Sequence, residues 1–266
     1  MYQLAPIYLL IIVGALFKKY LPLEPLSRVF LYILSPFVIF GSIAQLEFKS
    51  LIPALFLFIS YVIAFLVGRA VFKKKDLLMA SILPGGGFFG IPICFALFGE
   101  EGLGLWMLFL VITTLFESTV NYQYLTERSF LKFPIFWAVI LGIIATPKLP
   151  DLFLELHREF RGAYLVLGCL LIGSGARGVA QISEATLGVI TKLSFVPLVV
   201  VLLTIIDQNT LFILSEIEKK QLLIFSFLPT TPTLVSYMAY SKKDTTLTSW
   251  IVILTSILSI ILIPLI

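Results

Sequence analysis

From Leu77 to Gly99 the chain carries no charged residue, and inside that run stand Pro84, Gly85, Gly86, Gly87, Gly90 and Pro92. A helix needs about 20 apolar residues to cross a hydrocarbon layer ~30 Å thick, so the run is long enough to span a membrane. Proline removes a backbone donor and glycine weakens a helix. In lipid each unsatisfied backbone group costs several kcal/mol. Such a break survives where protein buries it or where it lines a cavity, so other spans must surround it. The fold class that follows is an all-α polytopic membrane protein. Composition agrees: of 266 residues 59% are hydrophobic and 13% charged, with a mean hydropathy of +1.07. A soluble domain is roughly 45–50% apolar and about 25% charged.

Apolar runs between charge or turn clusters predict ten transmembrane helices, at 3–17, 27–46, 51–72, 77–98, 103–125, 131–147, 163–180, 186–206, 219–240 and 246–265. "GEEG" at 99–102 reads as a tight hairpin between the fourth and fifth. The net charge of +4 does not point to nucleic acid, because the basic residues fall at span ends. Thirteen Lys and Arg, among them Lys18, Lys19, Lys73, Lys74, Lys75, Arg128, Lys242 and Lys243, follow the odd-numbered spans; six, including Lys49, Lys148 and Lys219, follow the even ones. The positive-inside rule then puts the first set in the cytoplasm and both termini outside a plasma membrane. "MYQLAPIYLL" lacks a basic leader region, so the first span is expected to be retained. Cys94 and Cys169 lie in apolar runs and read as small core residues; no metal or cofactor spacing is present. "DLFLELHREFRG" at 151–162 is amphipathic and suits a helix lying in the interface, with His157 at its solvated edge.

The chain also repeats itself. "PIYLLIIVG" opens span one and "PIFWAVILG" span six; Pro6, Gly14 and Pro22 keep the spacing of Pro134, Gly142 and Pro150. "LP" at 83–84, followed by Ala96 and Trp106, corresponds to "LP" at 228–229, followed by Ala239 and Trp250. Two halves of five helices, 1–125 and 126–266, must have opposite orientation because five is odd. Inverted repeats of this kind are a common construction of secondary transporters.

The repeat pairs "ILPGGGFFGIPI" with "FLPTTPTLVSYMAY", so spans four and nine are both broken helices, expected to cross near the midplane. New half-helices starting there present free N–H groups and positive dipole ends, which favour an anion such as a carboxylate. The candidate substrate-binding residues are Pro84, Gly85, Gly86, Gly87, Pro229, Thr230, Thr231 and Pro232. The glycines let a ligand approach the backbone, the threonine hydroxyls are donors, and Thr231 with Pro232 suits the start of a half-helix. The competing reading is a pair of proline kinks held by neighbouring helices.

In span five Thr113, Glu117 and Asn121 recur every four residues and form a polar stripe. Glu117 lies about 12 Å inside the predicted end. A carboxylate there is costly unless neutral or paired, which suits a proton carrier with Asn121 and Thr113 as polar support; packing is the alternative. Lys192 and Arg177 either mark a membrane boundary or pair with a carboxylate. Gly173 and Gly175 suit close helix packing. No Gly-x-Ser-x-Gly, His-Glu-x-x-His or Walker-type loop is present, so an enzyme is not expected.

"GFFGIPICFALFGEEGL", "LPTTPTLVSYMAYSKKDTTLTS", "YLVLGCLLIGSGA" and "TKLSFVPLVV", in their order, resemble the auxin efflux carrier family of membrane transporters. The resemblance covers nearly the whole chain and implies a ten-span fold of two inverted five-helix repeats, related to bile acid:sodium symporters. Spans one, two, six and seven would form a scaffold, and the rest a mobile unit crossing at Pro84 and Pro229. Family substrates are small organic anions, moved by an elevator-like step. Two departures stand out. Gly85 replaces the Asn that commonly follows the first crossing proline, and residues 229–240 hold no Asp, Glu, Asn or Gln. The reading is therefore a carrier for a small organic anion or carboxylate, proton-coupled or uniport rather than sodium-coupled. It lies in the lipid bilayer, and a homodimer is compatible with it. The rivals are an anion channel and an anion sensor.

Overall fold

A computed structural model describes residues 5–45, 51–145, 149–176 and 182–266. Their regular structure is helical, interrupted by one isolated bridge. In chain order the helices are α1 (Ala5–Leu16), α2 (Leu23–Ile43), α3 (Ile52–Val71) and α4 (Lys75–Ile82). The run Gly86–Thr126 divides at Gly99 into α5 (86–98) and α6 (100–126). Then come α7 (Pro134–Ile144), α8 (Asp151–Gly175), α9 (Ser183–Leu211), α10 (Glu216–Ser226), α11 (Thr233–Tyr240) and α12 (Thr246–Leu265).

Five of these runs, α2, α3, α5–α6, α9 and α12, are long and apolar enough to cross a membrane, and α1 and α7 are shorter apolar helices. The protein is thus a helical membrane protein. Large apolar side chains such as Leu66, Val67, Leu198 and Ile261 are exposed, as faces turned to lipid would be. The predicted fourth span is built as α4, a break and α5; the ninth is α10, a break and α11.

Gly99 has φ +62°, a conformation that glycine adopts freely and that turns the chain back on itself. A straight helix would hold Gly90 and Trp106 about 24 Å apart. Instead a Cβ at Gly90 would lie 2.8 Å from the Trp106 indole nitrogen. The hairpin predicted at "GEEG" is present. Pro197, by contrast, sits inside α9 without ending it.

Two compact units divide the chain: 1–47, 114–179 and 232–249 form the first, and 48–113, 180–231 and 250–266 the second. Each draws on both predicted halves. Spans one, two, six and seven fall together in the first unit, as the resemblance implies, but spans five and nine are shared. The chain changes unit between Thr113 and Thr114 and again between Thr231 and Pro232.

In the first unit α1 lies along α8. A Cβ at Gly14 would meet the backbone of Leu170, and one at Gly173 the backbone of Ile11, so these small residues allow the two helices to touch. The predicted packing role of Gly173 is seen directly. Arg177 lies outside the described residues. The interfacial helix predicted at 151–162 is not separate: those residues are the first half of α8. Phe153 and Phe160 pack their rings 4.8 and 4.6 Å from Phe37 of α2. His157, expected at a solvated edge, is buried. Its Nε2 lies 3.0 Å from the Val38 carbonyl, in space that Gly41 leaves open. Of the apolar face, Phe153 and Phe160 are covered by α2, while Leu152 and Leu156 stay exposed. In the second unit α9 packs on α3, α4 and α12, with Gly188 against Leu77 and Ile251.

Candidate functional site

The two helix breaks come together inside the second unit. Pro84 and Thr230 form an antiparallel bridge. Gly85 N–H donates to the Pro229 carbonyl at 2.6 Å, and Thr231 N–H donates to the Leu83 carbonyl at 3.0 Å. Each Leu-Pro removes a backbone donor, and the pairing uses the donors that remain on either side. Two strand-like segments thus satisfy one another in a setting where water cannot.

Side chains complete this crossing. The Thr230 hydroxyl donates to the Ala80 carbonyl (2.7 Å), and Thr230 N–H donates to Thr255 Oγ1 (3.1 Å). Thr230 is fully buried, and its hydroxyl proton is engaged at the end of α4; only its lone pairs are left for a ligand. Ser259 Oγ donates to the Phe227 carbonyl at 2.7 Å. Lys192, fully buried in α9, donates from Nζ to the Ser226 carbonyl at 3.1 Å. It points into the unit rather than outward, and pairs with no carboxylate among the described residues. Its sequence signal was available: a single charge well inside the apolar run between Glu184 and Asp207.

The three glycines have different tasks. A Cβ at Gly86 would stand 2.5 Å from Leu110 and 2.8 Å from Phe225, so Gly86 is needed for packing. A Cβ at Gly87 would meet nothing within 4 Å, so the backbone there borders open space. Gly85 precedes the first π-helical turn of α5, Gly86–Gly90, and no side chain caps that start. The start of α11 lacks a side-chain cap too, so Thr231 does not cap it, and Pro232 precedes the helix at Thr233.

The polar stripe of span five is divided. Thr113, in the second unit, shares a hydrogen bond with Tyr61 (2.9 Å) and donates to the Phe109 carbonyl (2.8 Å). Glu117 and Asn121, in the first unit, are the ends of a π-helical turn, Glu117–Asn121. Such turns recur at functional sites. Glu117 is buried and interacts electrostatically with Tyr164 and Tyr237. Tyr164 in turn hydrogen-bonds Thr233. Asn121 is fully buried, and neither its Oδ1 nor its Nδ2 has a partner; the hydroxyls of Ser236 and Tyr237 also lack one. Ser236 and Tyr237 lie within "FLPTTPTLVSYMAY", but nothing in that run singles them out, and their place beside α6 follows from packing.

Elsewhere in the first unit Tyr32 donates to Tyr240 (2.8 Å) and bonds Tyr122 (3.2 Å), and Arg128 donates to Tyr240. A cleft of about 530 Å³ nearby is lined by Glu24, Lys242, Lys243 and Asp244. Its charges balance, so it is not suited to select an anion. Among the described residues no group of three His, Cys, Asp or Glu could hold a metal.

Over 92 residues the chain is 37% identical to a protein of Methanocaldococcus jannaschii described as an uncharacterized transporter. The match takes in 29% of this chain and 30% of that protein, so less than a third of the relative's length is covered. No family model matches the chain.

Proposed function

We propose that the protein is a secondary carrier of the plasma membrane that moves a small organic anion, with proton coupling or as a uniporter. The observation that carries this reading is the pairing of two interrupted helices through Gly85–Pro229 and Thr231–Leu83, in a chain otherwise built of apolar helices. Carriers place their substrates at such paired breaks. The likeness to an uncharacterized transporter supports a transport role over an enzyme. The motifs shared with the auxin efflux carriers support ten spans in two inverted halves, 1–125 and 126–266, both termini outside, and an elevator-like step.

In this reading the carboxylate is met by the backbone at Gly86 and Gly87, while Gly85, Pro229, Thr230 and Thr231 hold the crossing together through their own hydrogen bonds and Pro232 introduces α11. Glu117 is the proton carrier and Asn121 its polar support; Thr113, expected to share that role, is engaged with Tyr61 and the Phe109 carbonyl instead. The test is a thermal-shift screen of purified protein against mono- and dicarboxylates, then uptake of the radiolabelled hit into proteoliposomes with and without a pH gradient. Uptake is expected to saturate and to show counterflow with unlabelled substrate; flux without either makes the protein a channel, and binding without flux a sensor. Glu117→Gln should abolish the pH dependence of uptake, and an unchanged pH profile removes Glu117 from the proton path.

A further inference from the structure

Within two residues at the end of α10 the fold closes two backbone carbonyls by different means. Phe227 O receives the neutral hydroxyl of Ser259 at 2.7 Å; Ser226 O receives the ammonium of Lys192 at 3.1 Å. Other acceptors of this last turn are met by backbone or hydroxyl donors: Phe227 N–H to Leu223 and Ile224, Leu228 N–H to Phe225, and Ser226 Oγ to Leu223. A hydroxyl suffices to close a carbonyl here. A fully buried ammonium is far more costly to place than a hydroxyl, and Lys192 has no acidic partner among the described residues. Its charge therefore needs a reason beyond hydrogen bonding.

The place supplies one. The C-terminal end of a half-helix carries the negative pole of its dipole. Carriers with interrupted helices use that end and the unwound carbonyls beside it to hold an exchangeable cation. We propose that Lys192 is a tethered cation: its protonated amine occupies the cation position at the carbonyl end of α10, so that this chain works without an exchangeable metal ion there. The inference rests on the carrier reading for its purpose, but its test uses no substrate, so the two can fail separately.

The test compares melting midpoints of purified protein in sodium, ethylammonium and choline chloride at equal ionic strength. The wild type is expected to melt alike in all three. Lys192→Met fills the space without the charge and should melt lower by about 5 °C or more in every salt. Lys192→Ala opens the space, and should recover at least half of its loss, saturably, in sodium or ethylammonium but not in choline. Three results overturn the proposal: a Lys192→Met protein as stable as the wild type, a Lys192→Ala protein indifferent to the cation, or a wild type that sodium itself stabilises. If Lys192→Ala is recovered only as aggregate, monodisperse yield with and without ethylammonium is read instead. No gain there overturns the proposal as well.

Discussion

In the second unit the hydroxyls of Thr230, Thr255 and Ser259 and the ammonium of Lys192 each donate to a backbone carbonyl. In the first unit both polar atoms of Asn121 and the hydroxyls of Ser236 and Tyr237 are buried with no partner. These two sets of groups are alike in burial and opposite in satisfaction. An unmet buried polar group costs about 1–3 kcal/mol, so native folds leave few of them. At the crossing the polar side chains repair broken helices. Around Asn121 the same kind of group is left without a partner.

Substitutions can break this contrast. Thr230→Val should cost the most, about 1–3 kcal/mol, because the Ala80 carbonyl loses its donor where nothing replaces it. The melting midpoint reads this, and an unchanged midpoint would mean that the crossing does not depend on side-chain repair. Gly86→Ala should cost roughly 1–2 kcal/mol, since the new methyl meets the ends of Leu110 and Phe225, which can give way in part. Gly87→Ala should leave the midpoint within about 1 kcal/mol of wild type, yet weaken binding of whichever carboxylate the screen identifies. Equal stability of the two variants would remove the distinction between a packing glycine and an approach glycine.

Asn121→Leu addresses the other side. It removes two buried, unmet polar atoms, so stability should hold or rise by up to about 1 kcal/mol, while the pH dependence of uptake weakens in the same direction as for Glu117→Gln. A clear loss of stability would place Asn121 with Thr230 among the fold's own groups. The smallest effect belongs to the Lys74–Glu184 pair, 2.5 Å apart and largely exposed at Lys74. Glu184 holds the Lys74 ammonium above its ordinary pKa through their hydrogen bond. Exposed pairs contribute little. Glu184→Gln should therefore leave the midpoint unchanged between pH 6 and 8, and a shift comparable to that of Thr230→Val would refute this ranking.

Much of the crossing can be read along the chain. Leu-Pro at 83–84 and 228–229, set in charge-free runs, announces two breaks, and the glycine at 99 announces the hairpin. The packing role of Gly173 also follows from its neighbours in sequence. What could not be read is partner choice. His157 has the surroundings of a surface histidine until Gly41 and Val38, more than a hundred positions away, are brought against it. Thr230 has the look of a ligand donor until its hydroxyl is seen to donate to the Ala80 carbonyl.

By itself the sequence determines that this chain belongs in a membrane as helices and that two of them are interrupted, because apolarity and the missing backbone donors of proline are properties of single residues and short runs. Tertiary structure decides which breaks satisfy each other, which hydroxyls repair carbonyls, and where Lys192 puts its charge. Those outcomes depend on which groups lose water together, and that is settled only when distant helices pack.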